Sequence, residues 1–577
     1  MTEKIFPFTA ALKNYSADKF RGDLFAGLTV GVMLIPQGMA YALIAGLPPV
    51  YGLYAALVPV FMYALFGTSK QLSVGPVAMD SLFVAATVSG IAVAGSEHYI
   101  ALAILLAAMI GLAQLLFGLI KLGFLVNFLS QPVIVGFTSA AAIIIALNQL
   151  GNLTGIKLTQ SNELHILLSD FFTHVSSIHI PTLAFALAGI TLMIILKKLL
   201  PKFPSGLVLV FIGTILVWIF QWNLQDIQIV GEVPSGLPSL KLPELNWIEI
   251  KGLIPSALAL AMIAFMEAIT VAKAIEEKKG VQEILPNREL IALGLANLGG
   301  SFFSSYPVTG GFSRSAVNNN AGAQSQLAGI ISGLLILFSL LFLTDLFYYL
   351  PKVLLAVIIL VAVVGLIDLK SPRNWWRTDS TEFIMYAATL LATCFIGIQQ
   401  GILIGVIISL IILIYRVSNP HIAVVGRIPG TDLYRNAERF SQVETDDDIL
   451  IVRFDAGLFY GNADFFRDKI KELEAQKKVK LKAIIVDASG INSVDSTSIY
   501  MIRKLLIHYK KKKIQVLFTG LIGPVRDKFN QNRIYTELGE EFFFVNIEDA
   551  QRYLNGQPRL VSGDVSRQAN FKPRISK

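Results

Sequence analysis

Through residue 416 the chain repeats long apolar runs separated by short polar breaks, and beyond about residue 440 the runs shorten and alternate. Fourteen apolar segments can be marked, at about 24–45, 47–66, 75–93, 99–120, 124–149, 180–199, 205–222, 252–274, 288–303, 310–321, 325–343, 351–368, 381–397 and 398–416. Runs of about 20 apolar residues suit a hydrocarbon core of about 30 Å. The pattern therefore predicts a polytopic α-helical membrane protein. Several segments are adjacent or short, so hydropathy alone also fits thirteen or twelve. After Arg416-Val-Ser-Asn-Pro420 the long runs stop. ILIVRFDAGLFYGNA (449–463) alternates like a hairpin or strand pair, FFRDKIKELEAQ (465–476) has helical spacing, and KAIIVDASG (482–490) reads as a buried strand. A helix over 496–513, a strand over 514–520 and two more helix-like stretches complete a soluble α/β domain of ordinary size. The expected division is 1–23 as an N-terminal segment, 24–418 in the membrane, 419–439 as linker, 440–556 as the α/β domain and 557–577 as a tail.

Composition sharpens this picture. Of 577 residues, 54% are hydrophobic and 15% charged, with mean hydropathy +0.63; soluble chains carry about 25% charged residues. The opening residues are mixed and charged, which predicts no cleaved signal peptide. The single cysteine, Cys394, excludes an intrachain disulfide and a multi-cysteine metal site. A net charge of +8 fits anionic lipid better than nucleic acid, because no aromatic-plus-basic recognition motif accompanies it. With a cytoplasmic N-terminus, seventeen Lys/Arg from Lys4 to Arg416 fall on the inner side. Only Lys157, Lys241, Lys251 and Lys352 fall outside. That positive-inside bias, with an even number of crossings, places the α/β domain in the cytoplasm.

Two segments break the apolar pattern in similar ways. The third begins Ser73-Val-Gly-Pro-Val-Ala-Met-Asp80 and the tenth Ser305-Tyr-Pro-Val-Thr-Gly310, each with Pro-Val ahead of a short helix-like stretch. Proline suits a first helical turn. The two breaks are seven crossings apart, which suggests two related halves of seven in inverted orientation, a layout that places sites at broken helices. Helix N-termini carry unpaired N–H groups and the positive end of the dipole, so two facing ends would cradle an anion. Gly310 and Gly311 would let backbone approach a ligand. The alternative is a pair of ordinary loops.

Arg314 lies about one turn into the tenth segment, where a membrane arginine costs at least about 2.5 kcal/mol and needs a cavity or partner. It reads as a fixed positive charge beside the anion, flanked by Ser313 and Ser315; a structural ion pair or snorkelling arginine is the alternative. Glu267 is the acid in an otherwise apolar run, PSALALAMIAFMEAITVA. Such burial is what a proton-coupling carboxyl requires, although a structural pair with Arg314 or Lys273 also fits. Gln37 and Tyr41 share a helix face at i, i+4 and read as a cavity wall or as helix-packing groups.

These residues resemble the SulP family of sulfate permeases and related anion transporters. PQGMAYALIAGLPPVYGLYAALVPVFMYALFGTSKQLSVGPVAMDSL is similar to that family's N-terminal signature, GGFSRSAVN to its tenth-helix motif, and KAIIVDASGINSVDSTSI to the STAS domain attached to its members. The resemblance implies a uracil-permease-like fold with a seven-plus-seven inverted repeat, segments 1–4 and 8–11 forming a core and 5–7 and 12–14 a gate. It implies an elevator-type motion and a homodimer. The implied substrate site is Gln37, Tyr41, Gly75, Val77, Ala78, Phe312, Ser313 and Arg314, with Glu267 at a position tied to proton or cation coupling. Val271, one turn on, and Thr270 beside it weaken the case for sodium. Ser496 matches a serine that is phosphorylated in bacterial relatives of the STAS domain, but Ser498 replaces the glycine usual after it, which favours a passive helix start.

The function expected on these grounds is proton-coupled uptake of a small inorganic anion, sulfate first, with no cofactor and no resident metal. The alternatives are sodium-coupled bicarbonate or dicarboxylate transport, an anion exchanger or channel, nucleobase transport, and a membrane-tethered signalling protein whose output is the STAS domain. The absence of a Walker A motif, zinc-ligand spacing or a triad argues against an enzyme.

Overall fold

The computed structural model describes residues 15–124, 130–158, 161, 163–199, 205–222, 227–243, 246–279, 284–365 and 367–558. Residues 1–14 of the expected N-terminal segment and 559–577 of the expected tail lie outside this range. The chain forms two compact units that meet in sequence between Ser409 and Leu410.

In the first unit the helices are α1 (Ala17–Ile44), α2 (Val50–Ala55), α3 (Val58–Phe66), α4 (Ala78–Val88), α5 (Glu97–Leu119), α6 (Gln131–Asn148), α7 (Leu150–Thr154), α8 (Leu164–His174), α9 (Ile180–Leu199) and α10 (Ser205–Phe220). They continue with α11 (Trp247–Lys279), α12 (Pro286–Ser301), α13 (Phe312–Asn320), α14 (Leu327–Phe342), α15 (Lys352–Val364), α16 (Lys370–Thr378), α17 (Ser380–Phe395) and α18 (Ile398–Ser418). Every one of the fourteen predicted segments contains a helix. Not every segment is a full helical span: among the described residues five helices are long and apolar enough to cross alone, or six if the pair at 164–177 and 180–196, bent by 117°, is one span. The eleven residues of α4 extend only about 17 Å and the nine of α13 still less. Short strands complete both segments, β1 (Val74–Gly75) before α4 and β2 (Thr309–Gly310) before α13. Helices α7, α8 and α16 fall between the predicted segments.

Small residues let the helices approach. A Cβ on Gly111 of α5 would stand 2.4 Å from the Leu298 nitrogen, and one on Gly294 of α12 2.6 Å from that of Leu115. Close backbone packing of this kind replaces the hydrophobic drive that lipid cannot supply. Two buried acids hold the chain around the breaks. Glu289 accepts from the Tyr63 hydroxyl (2.7 Å) and the Thr68 amide (2.6 Å), just before β1. Asp23 accepts from the amides of Gln324 (2.6 Å) and Ser325 (3.0 Å), just after α13.

The second unit carries β3 (Ile422–Arg427), β4 (Tyr434–Asn436), β5 (Ile449–Phe454), β6 (Ala483–Asp487), β7 (Gln515–Thr519) and β8 (Phe543–Phe544) in one sheet of order β4-β3-β5-β6-β7-β8. Pairing is antiparallel at β4-β3 and β3-β5 and parallel from β5 to β8. Buried strands ILIVRF and AIIVD read as continuous apolar runs because both faces are covered. One face packs on α19 (Ala463–Ala475), α20 (Ser496–Lys511) and α21 (Gly523–Gln531), the other on the C-terminal helix at Ile547–Leu554. Two expectations change. Residues 449–463 form one strand and a turn rather than a hairpin, because β5 takes β6 as its parallel neighbour. The stretch 419–439, expected to be linker, supplies β3 and β4.

Candidate functional site

The two interrupted segments meet. β1 and β2 pair antiparallel, with Val74 opposite Gly310 and Gly75 opposite Thr309. The Gly311 amide donates to the Ser73 carbonyl (3.0 Å), and the Ser73 amide to Ser315 Oγ (2.9 Å). Backbone that leaves a helix inside a membrane must be satisfied by protein, and polar side chains do this here. Asn297 Oδ1 accepts from the Val308 amide (2.8 Å), while its Nδ2 donates to the Val308 carbonyl (3.0 Å) and to Gln114 Oε1 (3.1 Å). Thr309 Oγ1 donates to the Ala264 carbonyl (2.5 Å).

Beyond the strands, α4 starts after Val77 and α13 after Gly311. Neither N-cap side chain closes the first turn with a hydrogen bond, so first-turn N–H groups remain at each start. Both starts border a cavity of about 330 Å³. Gln37 and Tyr41 of α1, Val77 and Ala78 at α4, Phe312, Ser313 and Arg314 at α13, and Glu267 of α11 all line it. Gly75 does not; it sits in β1, where an added Cβ would lie 3.5 Å from Arg314 Nη2. The opposite wall was not legible in the sequence. It is Val133, Ile134, Phe137 and Thr138 of α6, Ala362 and Val363 of α15, and Ile402 of α18. Seven ordinary membrane residues carry no signal that separates them from lipid-facing neighbours.

Arg314 is 2% exposed. Its Nη1 donates to the Pro76 carbonyl (2.7 Å), while Nε and Nη2 are buried without a partner among the described residues. The side chain is therefore neither snorkelling nor bonded to an acid. Glu267 lines the same cavity without a hydrogen bond to Arg314 among the described residues. Glu267 Oε2 and Gln37 Oε1 also lack partners among the described residues. The glycines also fit the protein itself: a Cβ on Gly310 would strike Leu72 at 2.6 Å, and one on Gly311, which lines the cavity, would meet Arg314 Nη2 at 2.9 Å. Ser315 is likewise consumed, donating to the Gly311 carbonyl (2.7 Å) while it holds Ser73. Thr270 and Val271 line the same cavity.

In the second unit Ser496 is exposed at the first position of α20. Asp495 is the N-cap and accepts from the amides of Ser498 (2.8 Å) and Tyr460 (2.8 Å). Burial opposes its charge, but these bonds hold its carboxyl below the usual aspartate range.

The sulfate permease family model matches residues 20–389 and the STAS domain model residues 441–553. Sulfate transporter 4.1, chloroplastic, of Arabidopsis thaliana is 37% identical over 95% of this chain and 82% of its own length. A probable sulfate transporter of Mycobacterium tuberculosis is 31% identical over 94% and 97%. Among solved structures, the murine Solute Carrier 26 family member A9 anion transporter in its inward-facing state superposes with TM-score 0.88 at 24% identity, over 96% of this chain and 94% of that one. The transmembrane domain of a cyanobacterial bicarbonate transporter, BicA, gives 0.60 at 25% identity over 68% and 98%. With its fourteen helical segments, its two crossed breaks and its C-terminal α/β sheet, the chain belongs to the sulfate permease family, whose members are membrane transporters rather than enzymes.

Proposed function

We propose that this protein is a secondary active transporter that takes up a small inorganic anion, sulfate foremost, together with protons. The observation that carries this reading is the buried guanidinium of Arg314, with Nε and Nη2 unpaired, beside two helix starts that no side chain caps. A fixed cation and oriented N–H groups at the edge of a cavity favour an oxyanion. The sulfate transporters among the relatives support the choice of anion. Glu267, in the same cavity without a direct ion pair, is the coupling carboxyl. Gln37, Tyr41, Val77, Ala78, Phe312 and Ser313 shape the site, and Gly75 stands near Arg314 in the strand that leads to α4. The cavity is lined both by α1, α4, α11 and α13 and by α6, α15 and α18, and on this reading the first set carries the anion past the second as an elevator. The protein works in a cell membrane as a homodimer, with the STAS domain in the cytoplasm. Ser496 is a candidate regulatory position with no part in transport itself.

The test is uptake of labelled sulfate into proteoliposomes. Arg314→Ala should remain monodisperse in detergent and lose uptake, and retained uptake refutes the site. Glu267→Gln should follow an imposed pH gradient less steeply than the unaltered protein. An unchanged response to that gradient removes Glu267 from coupling.

A further inference from the structure

Asp80 lies in the first turn of α4, one residue past the cavity-lining Met79. It is 0% exposed, and neither carboxylate oxygen meets a hydrogen-bond donor among the described residues. Structural acids elsewhere in this unit look different: Glu289 and Asp23 are each surrounded by donors. A buried carboxylate with no donor and no cation is costly, and a proton removes that cost. Its place in the first helical turn works the other way, since the dipole there favours a negative charge. The opposed effects suit a group that both takes up and releases a proton.

The surroundings of α4 offer Asp80 no competing partner. It packs against α1, α5, α6 and α11. From α11, Glu267 lines the adjoining cavity and makes no hydrogen bond to Asp80 among the described residues. Tyr306 is held by Ser81 Oγ (3.2 Å), and the Tyr99 hydroxyl of α5 donates to the Ala45 carbonyl (2.7 Å). Tyr41 of α1 and Arg314 line the cavity, and α6 carries no ionisable side chain.

We infer that Asp80 is a second proton-carrying group, so that Asp80 and Glu267 each bring one proton with every divalent anion. This rests on the proton-coupled reading above. Each carboxylate takes one proton as the anion enters and returns it where the anion leaves. The two protons cancel the two charges of sulfate, and the cycle moves no net charge. In Asp80→Asn one proton is lost, so each turnover carries one negative charge.

The experiment uses the full chain in proteoliposomes, with labelled sulfate and potassium–valinomycin potentials. A pH gradient of about one unit should be balanced by a sulfate ratio of about a hundredfold in the unaltered protein, independent of potential. Asp80→Asn should balance at about tenfold and respond to potential, and Asp80→Glu should restore the hundredfold ratio. An Asp80→Asn variant that keeps the hundredfold ratio overturns the inference while leaving the Glu267 reading intact. An unchanged pH response in Glu267→Gln sinks the parent reading instead. If Asp80→Asn is not monodisperse, the unaltered protein decides alone: a tenfold balance overturns the second proton, and a potential-independent hundredfold balance supports it.

Discussion

Arg314 shows how closely one side chain is fitted to its neighbours. A Cβ at position 311 would lie 2.9 Å from its Nη2 and 3.0 Å from its Cζ. Gly311→Ala should therefore push the guanidinium off its place without unfolding the protein. Overpacking of this kind costs about 1–3 kcal/mol, so the half-saturating sulfate concentration should rise about tenfold, as initial uptake rates would measure. A half-saturation within about twofold of the unaltered protein would contradict this placement. At this scale much of the candidate cavity's polar lining was legible. Gln37, Tyr41, Glu267, Ser313 and Arg314 are polar residues in apolar stretches, and such residues need a reason to be there. The purpose of the glycines was not legible, because what fills the space beside Gly310 is Leu72, from far away in sequence. Asp80 stood in plain view inside a motif and was masked by the proline and glycine next to it.

Among the elements, the two-residue strands β1 and β2 do the most with the least chain. Their support is Asn297, whose side chain serves both backbone groups of Val308. Asn297→Leu would leave the Val308 amide and carbonyl orphaned inside the membrane, at about 1–3 kcal/mol each. The variant should melt at a lower temperature in detergent and lose most uptake, and an unchanged melting temperature would mean that the strand pair holds itself. The breaks could be located from Pro and Gly, yet no periodicity reveals strands this short. Their pairing is decided by residues over 230 positions apart, as Val74 opposite Gly310 illustrates. β3 escaped for a related reason, since IAVVGR becomes a strand through its register with β5. Helices were the easier part, because their apolar length is local information.

For the whole molecule, acid stability should be set in part by the second unit. Burial opposes the charge of Asp455, but Arg453 and His421 outweigh it and hold its carboxyl below the usual range, as backbone amides do for Asp495. Ordinary aspartates titrate near about 3.9. The unfolded chain thus binds more protons than the folded one just below that value. The stabilisation is complete above it and fades as pH falls through the folded values. Amide protection across β5, β6 and α20 in the intact protein, taken relative to intrinsic exchange at each pH, should fall below about pH 4, and Asp495→Asn, which still caps the helix, should weaken that acid response. An equal fall in protection in the variant would assign the effect elsewhere. The β1–β2 ladder has a kinetic consequence as well. It ties the two helix starts into one piece, so an anion held between them, as proposed above, would meet the same donors whichever face of the membrane it came from. Influx and efflux should then half-saturate at concentrations within about tenfold of each other, and unlabelled sulfate on the far side should speed the exit of labelled sulfate. A carrier built in the proposed way would run as readily backwards as forwards, with only the gradients to give it a direction.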